Sequence, residues 1–516
     1  MKGRKALLWA RRLTQLSFLG LFFYLFRLTD YTGKDQIAAA VNIFFRWNPL
    51  VALSVTLAAK ALLALFLPAL LLAVLTLLLG RFFCGWVCPL GTLLDAAHKV
   101  VPPRGQGVGK GWVKVKYFLL LLISASSLFG LQLVGFFDPF ALLLRGFTFA
   151  VDPVFNSSVT GIFDTLYKKG PSWVTSLSEP VYEFLKKGVL PYQQSIFSLS
   201  LVAFFLLLGI FLLERVQRRF WCKNLCPLGA LLALLSRFSP LRRRPGKLCP
   251  SCGQCGKLCR FEAFQEDGRF VPERCNLCME CVAKCPQGMI SYRLGVPSLQ
   301  DRVDLSRRAF LGVGLTGVAL PLVSKVGWGE KLPRPTLLRP PGALDERLFL
   351  QKCVRCGECM KVCIQNGLQP TLLEAGAEGM FTPRLVPRIG YCEYNCNLCG
   401  QVCPTGAIPK VPLSEKQRFQ IGKSHFDKNR CLPYAKEVPC MVCEEHCPIY
   451  DKAIRFHEVT VSDGRGGTFP LRQPYVVEEL CIGCGICENK CPLPGEAAIH
   501  VLSQRDLREA GNGKYD

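Results

Sequence analysis

The stretch "CNLCMECVAKCP", residues 275–286, decides how this chain is read. Its thiols recur as Cys-x2-Cys-x2-Cys-x3-Cys and close on a proline. Three thiols on so tight a loop grip three irons of a cubane, while the fourth reaches across to a second cube. Zinc or disulfides would be the alternative for one such run. A second complete run, "CPSCGQCGKLC" at 249–259, stands just upstream and makes both alternatives poor. Cys249, Cys252, Cys255 and Cys285 are expected to hold one [4Fe–4S] cluster. Cys275, Cys278, Cys281 and Cys259 are expected to hold another. Arg260 stands where the pattern places proline, which bears on the turn more than on ligation.

The 28 cysteines extend this theme. Four further groups follow: Cys353, Cys356, Cys359, Cys363; Cys392, Cys396, Cys399, Cys403; Cys431, Cys440, Cys443, Cys447; and Cys481, Cys484, Cys487, Cys491. The middle two stray from the simple spacing, yet every group ends in Cys-x2-Cys-x3-Cys. Sixteen thiols suffice for four more clusters, six in all. A nested pairing is expected, with Cys491 completing the first group, Cys363 the last, Cys447 the second and Cys403 the third. Apolar content between these cysteines is modest, so cluster binding and folding are coupled. No Cys-x2-Cys-His occurs, which excludes c-type haem attachment by this chain.

The remainder of the chain is apolar. Half of its 516 residues are hydrophobic and its formal charge is +25. Apolar runs at 13–28, 49–80, 117–137 and 196–213 approach or exceed the ~20 residues that cross a bilayer. Basic residues precede the first run and follow the second and fourth, Arg81 and Arg219 among them. The positive-inside rule then places these loops in the cytoplasm. Basicity that tracks loops in this way disfavours nucleic acid as a partner. Two of the loops repeat one motif: "RFFCGWVCPLGTLL" from Arg81 and "RRFWCKNLCPLGALL" from Arg218. Cys84, Cys88, Cys222 and Cys226 are thereby expected at one face, as an iron–sulfur cluster, a single metal ion, or a redox-active dithiol pair.

"SRRAFLGVGLTGVALPLV", residues 306–323, resembles an export signal although it lies mid-chain. The expected architecture is a membrane protein. A four-helix transmembrane domain (1–240) is followed by a cytoplasmic two-cluster ferredoxin-like module (241–300). A fifth, anchor or signal helix (301–328) then leads to an exported α+β four-cluster polyferredoxin domain (329–516). On these motifs residues 1–295 resemble the NapH-type membrane polyferredoxins. Residues 304–500, with their Arg-Arg element and the "LRPPGA" connector at 338–343, resemble the NapG and MauM exported ferredoxins. The Arg-Arg element is similar to the twin-arginine signal, which carries folded, cofactor-loaded proteins.

The resemblance implies a quinol dehydrogenase component in the bacterial inner membrane, drawing on the quinone pool. Electrons would pass to a c-type cytochrome or an exported reductase. Trp47, Asn48, Pro49, Asp138, Pro139 and Arg145 are candidates for a quinone site, with capping and interface anchoring as the alternative. No histidine lies in an apolar run, which argues against a bis-histidine haem. Reverse electron entry, or a maturation or redox-regulatory role, are the competing readings.

Overall fold

The computed structural model describes residues 2–503 except 32, 34, 38, 62–63, 104–108, 192–193, 247–248, 250–251, 265–269, 296–306, 328–335 and 463–466. Ser306, which opens the Arg-Arg element, and the junctions at 300–301 and 328–329 lie outside the described residues.

The apolar half folds as a body of mostly short helices around one core. The second apolar run is divided into Pro49–Ala59 and Leu67–Leu79, because Lys60 takes a left-handed conformation (φ 51°) and ends the first helix. The third stops at Leu128, and Gly130 (φ 86°) redirects the chain into Val134–Phe137 and Pro139–Gly146. The fourth yields the 13-residue helix Ser200–Leu212, which tightens into a 3-10 turn at Leu213–Arg215. Phe22, Phe26, Phe44, Phe45, Phe83 and Phe140 pack in the shared core.

The expectation of a four-helix transmembrane domain is therefore corrected. Among the described residues one helical segment, Gly111–Leu128, is long and apolar enough to cross a membrane, while Pro49–Ala59, Ala64–Leu79 and Pro227–Ser236 are shorter. The multi-pass inner-membrane placement, with the cytoplasmic assignment of its loops, rested on those spans and is corrected with them. So is the orientation argument: Arg11, Arg81, Lys116 and Arg219 are buried rather than arrayed at a lipid surface. The helix Arg307–Gly327 packs on Val115–Leu128, where Ser126 donates to the Gly317 carbonyl (3.2 Å).

Both cysteine-rich parts dock on this body. The strands Leu241–Pro245 and Ile290–Leu294 pair antiparallel and bracket the first module. This module sits against the motif near Cys84: Trp86 donates to the Leu277 carbonyl (2.9 Å) and Arg11 to that of Cys278 (3.0 Å). The C-terminal part docks elsewhere. Asn42 donates to the Val402 carbonyl (3.0 Å), and Arg355 donates to that of Gln132. Lys361 sits buried between Asp30 (2.6 Å) and Asp152 (3.3 Å), and Asp152 also meets Arg27 (2.6 Å). Arg11 and Arg27 lie on one helix, Lys2–Leu28. At 1.5 Å per residue their separation puts the two docking sites roughly 24 Å apart along its axis.

Candidate functional site

The thiol groups are shaped by a backbone device that recurs in four of them. The residue after the second cysteine is left-handed: Gly253 (φ 70°), Met279 (59°), Gly357 (89°) and Gly485 (81°). Each starts a short helix that carries the third cysteine inward: Gln254–Leu258, Glu280–Ala283, Glu358–Lys361 and Ile486–Lys490. The two groups with irregular spacing lack it, since Asn397 and Met441 take extended values of φ (−131° and −126°) before their helices. Spacing and turn geometry thus change together.

In the first module the two thiol runs come together. One cavity is lined by Cys249, Cys252, Cys255, Cys281 and Cys285, and Cys275 and Cys278 lie in the electrostatic field of Cys259. Arg260 has a structural reason to replace proline, because it pairs with Asp95 (2.8 Å) and Glu280 and ties the module to the helical body.

In the C-terminal part the nested pairing is corrected. One cavity is lined by Cys353, Cys356, Cys359 and Cys403. Another is lined by Cys431, Cys440, Cys443 and Cys491. Cys392, Cys396 and Cys399 are each influenced by Cys363. Cys481, Cys484 and Cys487 act on one another, which by elimination leaves Cys447 for that set. Consecutive groups therefore exchange their last cysteines, giving two side-by-side units rather than one unit inside another. The cause is strand pairing: Lys423–Phe426 pairs with Ile499–Leu502 and brackets the last two groups alone. The units join where the Cys392 N–H donates to the Cys484 carbonyl (2.9 Å).

The repeated motif also converges. Cys88, Cys222 and Cys226 each lie in the field of Cys84, and Cys226 in that of all three others. All 28 cysteines are free thiols. No group of three or more His, Cys, Asp or Glu among the described residues converges closely enough for a single metal ion. The grouped thiols and the recurrent left-handed turns fit iron–sulfur ligation. Burial pushes the Cys392 and Cys431 thiols up to about 11, and those of Cys396 and Cys443 to about 12. Loading such sites expels protons, which couples cluster binding to pH.

Most of the quinone-site candidates make capping or packing contacts within the helical body. Asp138 is fully buried, caps Pro139–Gly146 through the N–H groups of Phe140 and Ala141 (both 3.0 Å), and accepts from Asn48 (2.5 Å). Asn48 in turn caps Pro49–Ala59. Pro49 and Pro139 occupy the first turns of these two helices. Arg145 is buried, donates to the Gly135 carbonyl (3.3 Å) and stacks over Phe381. Trp47 is partly exposed on the turn before Asn48. Sequence reasoning counted Arg81 and Arg219 as loop charges, whereas each donates to a cysteine of its own repeat. Their identical offset from the paired cysteines was the available signal.

These features define a class, the multi-centre iron–sulfur proteins. A 4Fe-4S binding domain model matches residues 61–111 and 197–247, which enclose the repeated motif. A 4Fe-4S dicluster domain model matches 438–493 and a further 4Fe-4S binding domain model matches 269–291. The chain is 36% identical to the methylamine utilization ferredoxin-type protein MauM of Methylorubrum extorquens, over 42% of this chain and 96% of that protein. It is 34% identical to the ferredoxin-type protein NapG of Escherichia coli, over 37% and 79%, and 32% identical to NapF of that organism, over 32% and 85%. The chain belongs to the MauM and NapG family of ferredoxin-type proteins. No solved structure matches.

These relatives correct the reading of residues 1–295 as a fused NapH-type membrane protein. The region carries 4Fe-4S domain matches, and the relatives are ferredoxin-type proteins. The quinol-oxidising membrane subunit inferred from that fusion falls with it, since one candidate span rather than four is present among the described residues and the relatives are ferredoxin-type proteins.

Proposed function

We propose that this iron–sulfur electron-transfer protein works as a relay whose centres form a row, handing single electrons between a donor and an acceptor protein in a larger redox complex. The 24 ferredoxin-type cysteines would hold six [4Fe–4S] clusters, which when bound supply one-electron exchange without making or breaking covalent bonds. The observation that supports the reading is the Cys392–Cys484 backbone bond, which brings a cysteine group of one C-terminal unit against a group of the other. The row then runs from the set completed by Cys403, through that completed by Cys363 and the set of Cys484, to the set completed by Cys491.

The protein's own contribution is to fix these spacings and exclude water. Cys356, Cys359, Cys431, Cys443, Cys481, Cys484 and Cys487 are buried. Ser424 donates to or accepts from Cys487 (3.4 Å), and Lys416 reaches the Glu393 carbonyl (2.5 Å) beside Cys392. Such contacts tune potential as well as position. The test is electron paramagnetic resonance of the anaerobically prepared, dithionite-reduced protein, with iron and sulfide determined chemically. A relay gives interaction-broadened spectra from spin-coupled neighbours. Magnetically isolated signals at full cluster content would overturn it.

A further inference from the structure

Aligned on its cysteines, the repeated motif is longer than the thiols alone. Arg-x2-Cys-x3-Cys-Pro-Leu-Gly runs from Arg81 to Gly91 and again from Arg219 to Gly229. Each arginine approaches the first cysteine of its own repeat: Arg81 Nη2 lies 4.0 Å from Cys84 Sγ, and Arg219 Nη1 lies 3.9 Å from Cys222 Sγ. Each second cysteine accepts from the N–H of the glycine three residues on, Gly91 for Cys88 and Gly229 for Cys226.

The halves then cross. A Cβ at Gly91 would stand 2.6 Å from the guanidinium of Arg219, and one at Gly229 would stand 3.2 Å from that of Arg81. Both glycines thus leave room for the other repeat's arginine, most closely at Gly91. Both guanidiniums also face one ring, that of Phe261 in the first module, at 5.9 and 5.7 Å. The arrangement has an approximate twofold character, with four thiols around its centre.

Charge identifies the occupant. Arg81 and Arg219 are 1% and 2% exposed, and burying an uncompensated cation is costly. Arg219 is held by Asp95 (2.8 Å). The second repeat has Ala233 at the position of Asp95, so it offers Arg81 no matching carboxylate. Arg81 instead donates to the neutral Glu273 carbonyl (2.9 Å) and faces the cysteine sulfurs. Four neutral thiols would not balance it, whereas four thiolates around an iron–sulfur core carry net negative charge.

We propose that Arg81 and Arg219 are crossed positioning residues that balance the charge of an anionic [4Fe–4S] centre held by Cys84, Cys88, Cys222 and Cys226. This rests on the reading that the chain carries such clusters. The centre adjoins the first module, because a Cβ at Gly85 would stand 2.1 Å from the Asn276 carbonyl oxygen, between Cys275 and Cys278. It thereby extends the relay toward the helical core, which Cys226 and Cys356 both border. Guanidinium hydrogen bonds to the ligand sulfurs favour the reduced, more negative state and raise the reduction potential.

The test uses the full chain, purified anaerobically. Cys84→Ser with Cys222→Ser is expected to lower iron and sulfide by about four each, leaving the ferredoxin-type signals in place. Arg81→Gln is expected to keep the metal content and shift one potential downward in a redox titration followed by electron paramagnetic resonance. Arg219→Gln is expected to shift the same potential downward, because it too removes one positive charge beside the sulfurs while Asp95 stays ionised against Arg260. Arg81→Lys restores part of the potential, which a merely structural role would not produce. Loss of zinc from the cysteine variant, unchanged metal content, or unchanged potentials in both glutamine variants at full metal content would each overturn the proposal. If the cysteine variant misfolds, the arginine variants decide the matter. Failure here leaves the six ferredoxin-type clusters unaffected, whereas absence of those clusters defeats the relay itself.

Discussion

Replacing Lys361 with methionine tests what holds the C-terminal part onto the helical body. Lys361 is buried between Asp30 and Asp152, with its ammonium 3.7 Å from the Phe26 ring centroid. Removing one member of a buried ion pair costs about 3–5 kcal/mol, because the other charge is left behind. Arg27 stays 2.6 Å from Asp152 and 3.5 Å from Asp30, so the low end applies, about 3 kcal/mol. At 1.4 kcal/mol per decade this means roughly 100-fold more frequent opening of the interface. The Ile37 amide reports on it directly, since it donates across the interface to Gln401 Oε1 (3.1 Å). Hydrogen–deuterium exchange at that amide, corrected for intrinsic rates, should accelerate by about this factor at pH 8.

The pH dependence carries a sign. Burial already holds the Asp30 carboxyl above its ordinary value, and losing Lys361 raises it further. Between the ordinary and the raised values the closed state binds more protons than the open one. Stability therefore falls as pH rises through that window and recovers on acidification. The variant's penalty should shrink at pH 5.5, and adding Asp30→Asn should recover part of it at pH 8. Exchange at the wild-type rate at pH 8, or an equal acceleration at both pH values, would refute the account of this interface.

Two further outcomes are expected. Cys403→Ser should remove the same electron paramagnetic resonance component as Cys353→Ser, and Cys491→Ser the same one as Cys431→Ser; the nested arrangement would instead match Cys491→Ser with Cys353→Ser. Burial pushes Asp138 up to about 6, so stability of the helical body should fall as pH rises from about 4 to 6 and level off above. Asp138→Asn should flatten that slope, which urea-denaturation midpoints across the range would measure.

The cysteine groups were legible in the sequence because ligand spacing is local: Cys-x2-Cys-x2-Cys places three thiols on one turn wherever the chain later goes. The left-handed glycines at 253, 357 and 485 belong to that local signal, although Met279 takes the same conformation without being glycine. The set to which each fourth cysteine belongs was not legible, since Cys403 and Cys491 stand in equivalent positions and the strand pairing of Lys423–Phe426 with Ile499–Leu502 separates them. The apolar runs misled for a related reason. Hydropathy adds over a window regardless of where a helix stops, and Lys60, Gly130 and the turn at Leu213 stop these helices early.

By itself the sequence determined which residues have ligand chemistry and that one motif is repeated. Only the tertiary structure decided that Arg81 and Arg219 are buried and crossed between the repeats. A buried charge requires a partner, and the residues that could provide one lie far away along the chain.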